Sequence, residues 1–240
     1  TGTAKGAYMK LAVIPARGGS KRIPRKNIRV FCGRPIIGYS IQAALESGVF
    51  DRVVVSTDDE EIAAVARQCG AETPFLRPAA LAGDHTGTLP VIRHAIETMR
   101  DQGAKFDYVC CIYATAPFIK SSDLFRGLNI LQGSGTEYAF TATSFAYSIH
   151  RALRIMPSGR VTMFQPENYY KRSQDLEEAY HDAGHFYWGM TNAFLREVPL
   201  FSGHSVPVLL PRHQVQDIDT LEDWKHAELM YRSWKTNVDV

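Results

Sequence analysis

The chain has 240 residues, 45% of them hydrophobic, which is enough for one large core or for a domain with an extension, and one main domain is expected. Its 27 lysines and arginines stand against 25 acidic residues, a net charge of +2, so no global basic field exists to hold nucleic acid or an anionic membrane. No apolar run approaches the roughly 18 residues of a membrane span and no charged start leads into an apolar stretch, so a soluble, cytoplasmic protein is expected.

Residues 1–8 carry no periodicity and read as a remnant of an expression vector, outside the fold. Residues 10–16 form a short apolar run ended by Gly18 and Gly19, the pattern of a buried central strand. Residues 35–47 have apolar positions at helical spacing and stop at Gly48. Residues 52–56 are β-branched and predict a second buried strand, after which Thr57 or Asp58 is expected to cap a helix ending at Gly70. The alternation continues with a helix over 88–101, a strand over 108–113, a helix over 122–132 and a strand over 138–143. Strands separated by helices of this length predict an α/β fold, a mostly parallel sheet with helices on both faces and its site at the carboxyl ends of the strands. Residues 145–180 break the pattern and read as an excursion, and regularity returns at 184–189, 206–210 and a last helix over 220–235.

Cys32, Cys69, Cys110 and Cys111 show no CxxC spacing and are expected to be buried free thiols in a reducing compartment.

Between the first strand and the first helix lie Arg17, Gly18, Gly19, Ser20, Lys21, Arg22, Arg25, Lys26 and Asn27. Glycines that let backbone approach a ligand, among cations at a strand end, suit a polyphosphate. Neither the dinucleotide-binding glycine spacing nor a P-loop is present, which also weighs against a nicotinamide-dependent oxidoreductase. Near the other end, Asp217 and Asp219 stand two residues apart on a segment expected to be extended. Their carboxylates then share a face and suit one Mg2+ bridging to phosphate, while Asp219 or Thr220 alternatively caps the helix that follows. The acids at 58–61 open a helix and suit its dipole, with Asp58 at the strand end set apart.

His181 and His185 have the spacing of a zinc-protease motif, but Asp182 replaces the general base and Gly184 disfavours a helix. No GxSxG turn marks a serine hydrolase. Phe186, Tyr187 and Trp188 read as strand, and with His181 and His185 they predict a mixed polar and aromatic pocket wall.

The Ala16-Arg17, Ser20-Lys21 and Pro24-Arg25-Lys26-Asn27 elements resemble the signature of the cytidylyltransferases that activate acidic sugars, the acylneuraminate cytidylyltransferase (CMP-sialic acid synthetase) family. The resemblance continues through Val55-Ser56-Thr57-Asp58-Asp59, Arg77-Pro78 with Leu81 and Asp84, and Asp217-Ile218-Asp219-Thr220. It implies a Rossmann-like fold of the nucleotide-diphospho-sugar transferase type with a small dimerisation extension over residues 145–180, set into a nucleotidyltransferase domain of residues 9–144 and 181–240. It implies CTP and an acidic sugar as substrates. Ala16, Arg17, Gly18, Ser20, Lys21, Lys26, Asn27 and Thr115 would contact the nucleotide, with Arg17 and Lys21 acting on its phosphates. It gives the Mg2+ to Asp217 and Asp219, and it implies a homodimer.

Neuraminate-using relatives carry a Gln-Pro-Thr-Ser-Pro-Leu-Arg segment where this chain has residues 113–119, and Arg-Pro-Asn-Gly where it has residues 181–184. The segments at Tyr113, at Asp182 and at Gln216 resemble the pseudaminic acid branch instead, with Tyr113, His181, His185 and Tyr187 expected at the sugar. Legionaminate, neuraminate and a shorter keto acid stay open as substrates. A non-catalytic nucleotide-sugar sensor would have no need of the paired acids.

Overall fold

A computed structural model describes residues 8–236. In chain order its elements are β1 (Lys10–Pro15), β2 (Val30–Phe31), β3 (Arg34–Pro35), α1 (Ile37–Glu46), β4 (Arg52–Ser56), α2 (Glu60–Gln68), α3 (Thr88–Asp101) and β5 (Tyr108–Ile112). There follow α4 (Ser121–Ser134), β6 (Tyr138–Ser144), β7 (Leu153–Ile155), β8 (Val161–Met163), β9 (Tyr180–Met190), α5 (Thr191–Leu195), β10 (Ser205–Leu209) and α6 (Leu221–Thr236). Of the supposed vector remnant, residues 1–7 lie outside the described residues. Tyr8 sets its ring edge-on to Tyr108, with centroids 5.6 Å apart.

Six strands form one sheet in the order β10-β6-β9-β5-β1-β4. β1 pairs in parallel with β4 and β5, and β10 in parallel with β6. β9 runs antiparallel to both of its neighbours, β5 and β6. Alternate residues of each strand feed two cores. Ala12, Ile14, Cys110, Phe186 and Trp188 pack on one face against α1, α2 and α4. Leu11, Val13, Cys111 and Tyr187 pack on the other against α3 and α5. Burial on both faces is what the unbroken apolar runs of β1, β4 and β5 require.

A third cluster lies beyond the carboxyl ends of β1 and β5, where Phe31, Tyr39, Trp224 and Tyr231 meet and pin α6 to the β2–β3 hairpin. That hairpin turns at Cys32 and Gly33, with φ of 41° and 101°, the positive pair a two-residue turn needs to match strand twist. Cys32 in that turn and Cys69 at the end of α2 are only partly buried, unlike Cys110 and Cys111, and all four thiols are free among the described residues. This corrects the expectation of four buried thiols.

Two further expectations change. The cap of α2 is neither Thr57 nor Asp58 but Asp59, whose Oδ1 accepts from the Ile62 N–H at 3.0 Å. The strand expected at 184–189 begins earlier, at Tyr180, so the excursion spans residues 145–179. It holds the β7–β8 hairpin, several single-turn helices and a row of exposed apolar side chains, among them Tyr147, Ile155 and Tyr170.

Candidate active site

A cleft of 660 Å³ opens at the carboxyl ends of β1 and β5. Arg17, Lys21, Arg22, Lys26 and Arg77 line it against two acids, Asp84 and Asp219, so its field is far more positive than the chain's net charge of +2 alone would give. Ser20, Asn27, Tyr113 and Thr115 complete the part of the lining that sequence reasoning proposed.

The loop after β1 owes its shape to contacts far away in sequence. Gly18 donates its N–H to Asp58 Oδ1 at 3.0 Å. A Cβ on Gly18 would stand 2.8 Å from Asp59 Oδ2, so only glycine admits that approach. Arg25 takes the left-handed conformation at φ 55° and pairs with Asp59 and Glu61, anchoring the loop to the start of α2. Its hydrogen bonds, more than its charge, hold the Asp59 carboxyl down at about 2. Asn27 is 8% exposed and gives its amide N–H to the Arg17 carbonyl at 2.9 Å. That bond closes the loop on itself, so half of the amide expected to read the base is occupied in shaping the loop.

Arg17 and Lys21 converge on one carboxylate, at 2.6 and 2.5 Å from the two oxygens of Asp84, and together they lower its pKa. Arg77, 6% exposed, donates to the carbonyls of Ser56 and Leu81 and fastens the Asp84 segment to the end of β4. Burial pulls its pKa down while Asp58 opposes the fall. Sequence reading quoted Arg77 and Asp84 without giving either a role, because their partners are remote along the chain.

On the opposite wall Ile218 buries its side chain in the third core, which turns the flanking Asp217 and Asp219 outward together. Arg22 reaches Asp219 at 2.8 Å and Lys26 at 3.6 Å, and Lys26 also donates to the Ile218 carbonyl. Protein packed around the Asp217 carboxyl, and next the charge of Asp219, push its pKa up. Capping of α6 falls to Thr220, whose hydroxyl accepts from the Asp223 N–H while Asp223 accepts back from the Thr220 N–H. Asp219 lines the cleft, and Asp217 stands outside its lining.

The proposed sugar residues separate. Tyr113 lines the cleft and meets Thr88 through its hydroxyl at 3.2 Å. Its ring lies 5.2 Å from that of Tyr187, a core residue that reaches only a neighbouring cavity. His181 lies at the edge, against Phe145. His185 is displaced from the expected pocket wall: it is 2% exposed, both ring nitrogens lack partners among the described residues, and burial drives its pKa down to about 4. It lies on β9 with His181, where four residues span about 13 Å, so the two imidazoles do not form a zinc-protease pair.

The family model described as cytidylyltransferase matches residues 11–231. A pseudaminic acid cytidylyltransferase of Campylobacter jejuni is 47% identical over 222 residues, 92% of this chain and 96% of that protein. The CMP-N,N'-diacetyllegionaminic acid synthase of Legionella pneumophila is 32% identical over 91% of this chain and 94% of its own length. Among solved structures, a CMP:2-keto-3-deoxy-manno-octonic acid synthetase complexed with CTP superposes with a TM-score of 0.69 at 15% identity, over 94% of this chain and 99% of that one. A 4-diphosphocytidyl-2C-methyl-D-erythritol synthase from Anaerococcus prevotii follows at 0.65 and 12%, over 94% and 96% of the two chains; both likenesses concern the fold alone. The family match runs from the first buried residue of β1 into α6 and takes in the whole cleft. The chain therefore belongs to the cytidylyltransferase family, enzymes that are nucleotidyltransferases.

Proposed function

We propose that the chain transfers the cytidylyl group of CTP to the anomeric hydroxyl of pseudaminic acid, a nine-carbon 2-keto sugar acid, and releases pyrophosphate. The observation that carries this reading is the cleft: Arg17 and Lys21 already share one anionic group, that of Asp84, and Asp219 lines the same space, paired with Arg22 and Lys26. The relative at 47% identity is named for the same sugar.

Asp217 and Asp219 fit a hard cation. Burial raises the Asp217 pKa most, repulsion from Asp219 adds to it, and a divalent ion would relieve that repulsion through oxygen ligands. When bound there, Mg2+ would withdraw charge from a phosphate and acidify an attacking hydroxyl. Arg17 and Lys21 neutralise the phosphates, Gly18 keeps their loop packed against Asp58 and Asp59, and Arg22 and Lys26 steady Asp219. The sugar hydroxyl attacks the α-phosphorus, its O–P bond forms, and the bond to the β-phosphate oxygen breaks.

Pyrophosphate release should require CTP, Mg2+ and pseudaminic acid together. Release with legionaminic or N-acetylneuraminic acid in its place would move the substrate, and no release with any keto sugar acid would overturn the reading. We place the reaction in the cytoplasm, which the four free thiols favour; no helix among the described residues is long and apolar enough to cross a membrane. We also propose that the 145–179 arm docks on a second copy, since its apolar side chains are otherwise open to water. A monomeric mass in light scattering at micromolar concentration would contradict this.

A further inference from the structure

Two smaller cavities, of 420 and 470 Å³, share Asp182 and Phe201 as wall. The first also shares Gly87, Thr88 and Tyr113 with the nucleotide cleft, so the three spaces adjoin one another along shared walls. The outermost is mostly apolar, lined by Phe140, Ala142, Phe201 and Pro207.

Asp182 owes its place to the antiparallel run of β9, which puts the opening residues of that strand at the carboxyl ends of β5 and β6. The strand is irregular there: Gly184 has φ +63° and the register against β6 shifts between Phe140 and Ala142. The irregularity lets the Gly184 N–H donate to Asp182 Oδ1 at 2.9 Å while the Tyr187 hydroxyl donates to Oδ2. Each oxygen is thereby fixed by one protein donor and keeps acceptor capacity.

We infer that Asp182 reads an acylamino substituent of the sugar acid, accepting its N–H while the acyl methyl enters the apolar cavity between Phe140, Phe201 and Pro207. The inference rests on the function proposed above. A carboxylate only accepts, so it draws in an N–H and repels the acyl carbonyl, and it likewise turns the sugar's own carboxylate away, toward the cationic cleft. A hydroxyl at the same carbon would satisfy the acceptor but leave the apolar cavity unfilled. Discrimination then comes from both parts at once.

The test is pyrophosphate release with CTP, using pseudaminic acid and its two analogues in which one acylamino group is replaced by hydroxyl. In Asp182→Asn the KM for pseudaminic acid should rise roughly 10- to 100-fold, with much less change toward the analogue lacking the recognised group. Phe201→Ala, at a ring 64% exposed and so tolerated by the fold, should cut the preference for acylamino over hydroxyl about tenfold. Both variants should keep the CTP KM of the unaltered protein. Unchanged sugar KM values in both, or equal losses on parent and analogues, would overturn the inference alone. If the unaltered protein releases no pyrophosphate with any keto sugar acid, the proposed function falls and the inference with it.

Discussion

The guanidinium of Arg25 holds the carboxylate of Asp59 by two hydrogen bonds, of 2.5 and 3.0 Å, across 34 residues of chain. That pair joins the phosphate loop to the cap of α2. Asp59 has a folded pKa near 2 against an ordinary 3.8, so its contribution is complete above pH 4 and is lost as pH falls toward 2. Arg25 is over a third exposed, and solvent screening holds the contribution to about 1 kcal/mol. Asp59→Asn keeps the cap, because asparagine also accepts from a backbone N–H, but removes the titration. Urea unfolding should therefore show a flatter stability profile between pH 4 and 2 in the variant; identical profiles would separate the ion pair from the acid limb.

Adjacent glycines should behave oppositely. Gly18→Ala forces a Cβ to within 2.8 Å of Asp59 and must displace the loop, whereas Gly19 has nothing within 4 Å of where its Cβ would stand. The first should raise the CTP KM about tenfold or more, equivalent to about 1.4 kcal/mol of lost binding. The second should change it little. Equal kinetics for the two variants would mean that loop position is not what holds the nucleotide.

Asp217 and Asp219 should control turnover more than substrate binding. Either alanine variant should lower kcat by about 100-fold or more, if the carboxylates hold the ion that stabilises charge in the transition state. Asp219→Asn should also relax the raised pKa of Asp217, moving the acid limb of the rate profile to lower pH. Near-normal kcat in both alanine variants would remove the metal from these residues.

His185 costs the fold stability in acid. Its folded pKa of about 4 lies below the ordinary 6.5, so stability is full above pH 6.5 and falls by up to about 3 kcal/mol as pH drops to 4. Neither ring nitrogen has a partner, so His185→Leu leaves nothing unsatisfied. Thermal melts at pH 5 should show the variant more stable than the parent, and a lower melting temperature would reveal a partner for the imidazole.

The alternation of apolar strands and amphipathic helices was legible because it is local: residues 10–16, 52–56 and 108–113 bury both faces and show it in unbroken runs. That Asp217 and Asp219 flank a buried Ile218 was legible from the alternation of an extended segment, but not that Asp219 alone lines the cleft. What sequence did not reveal depends on contacts between distant segments. The pairing of Arg25 with Asp59, the burial of Arg77 beneath Ser56 and the closure of Arg17 and Lys21 on Asp84 leave no local signature. The reversal of β9 was equally hidden, since a strand carries no mark of direction in its composition. His185 was misread because its neighbours alternate between the two cores, and an irregular strand start obscures which face a side chain takes.

β9 emerges directly from the arm and runs eleven residues into the middle of the sheet. Its first turns of backbone frame Asp182, and its last are clamped between β5 and β6. The opening residues, Tyr180 to Asp182, pair with Ser144 to Ala142 of β6 alone, so the sheet holds that end from one side only. If the arm docks on a second copy as proposed, that contact lies two residues of chain from Asp182, and assembly of the protein would then bear directly on the wall proposed to choose its substrate.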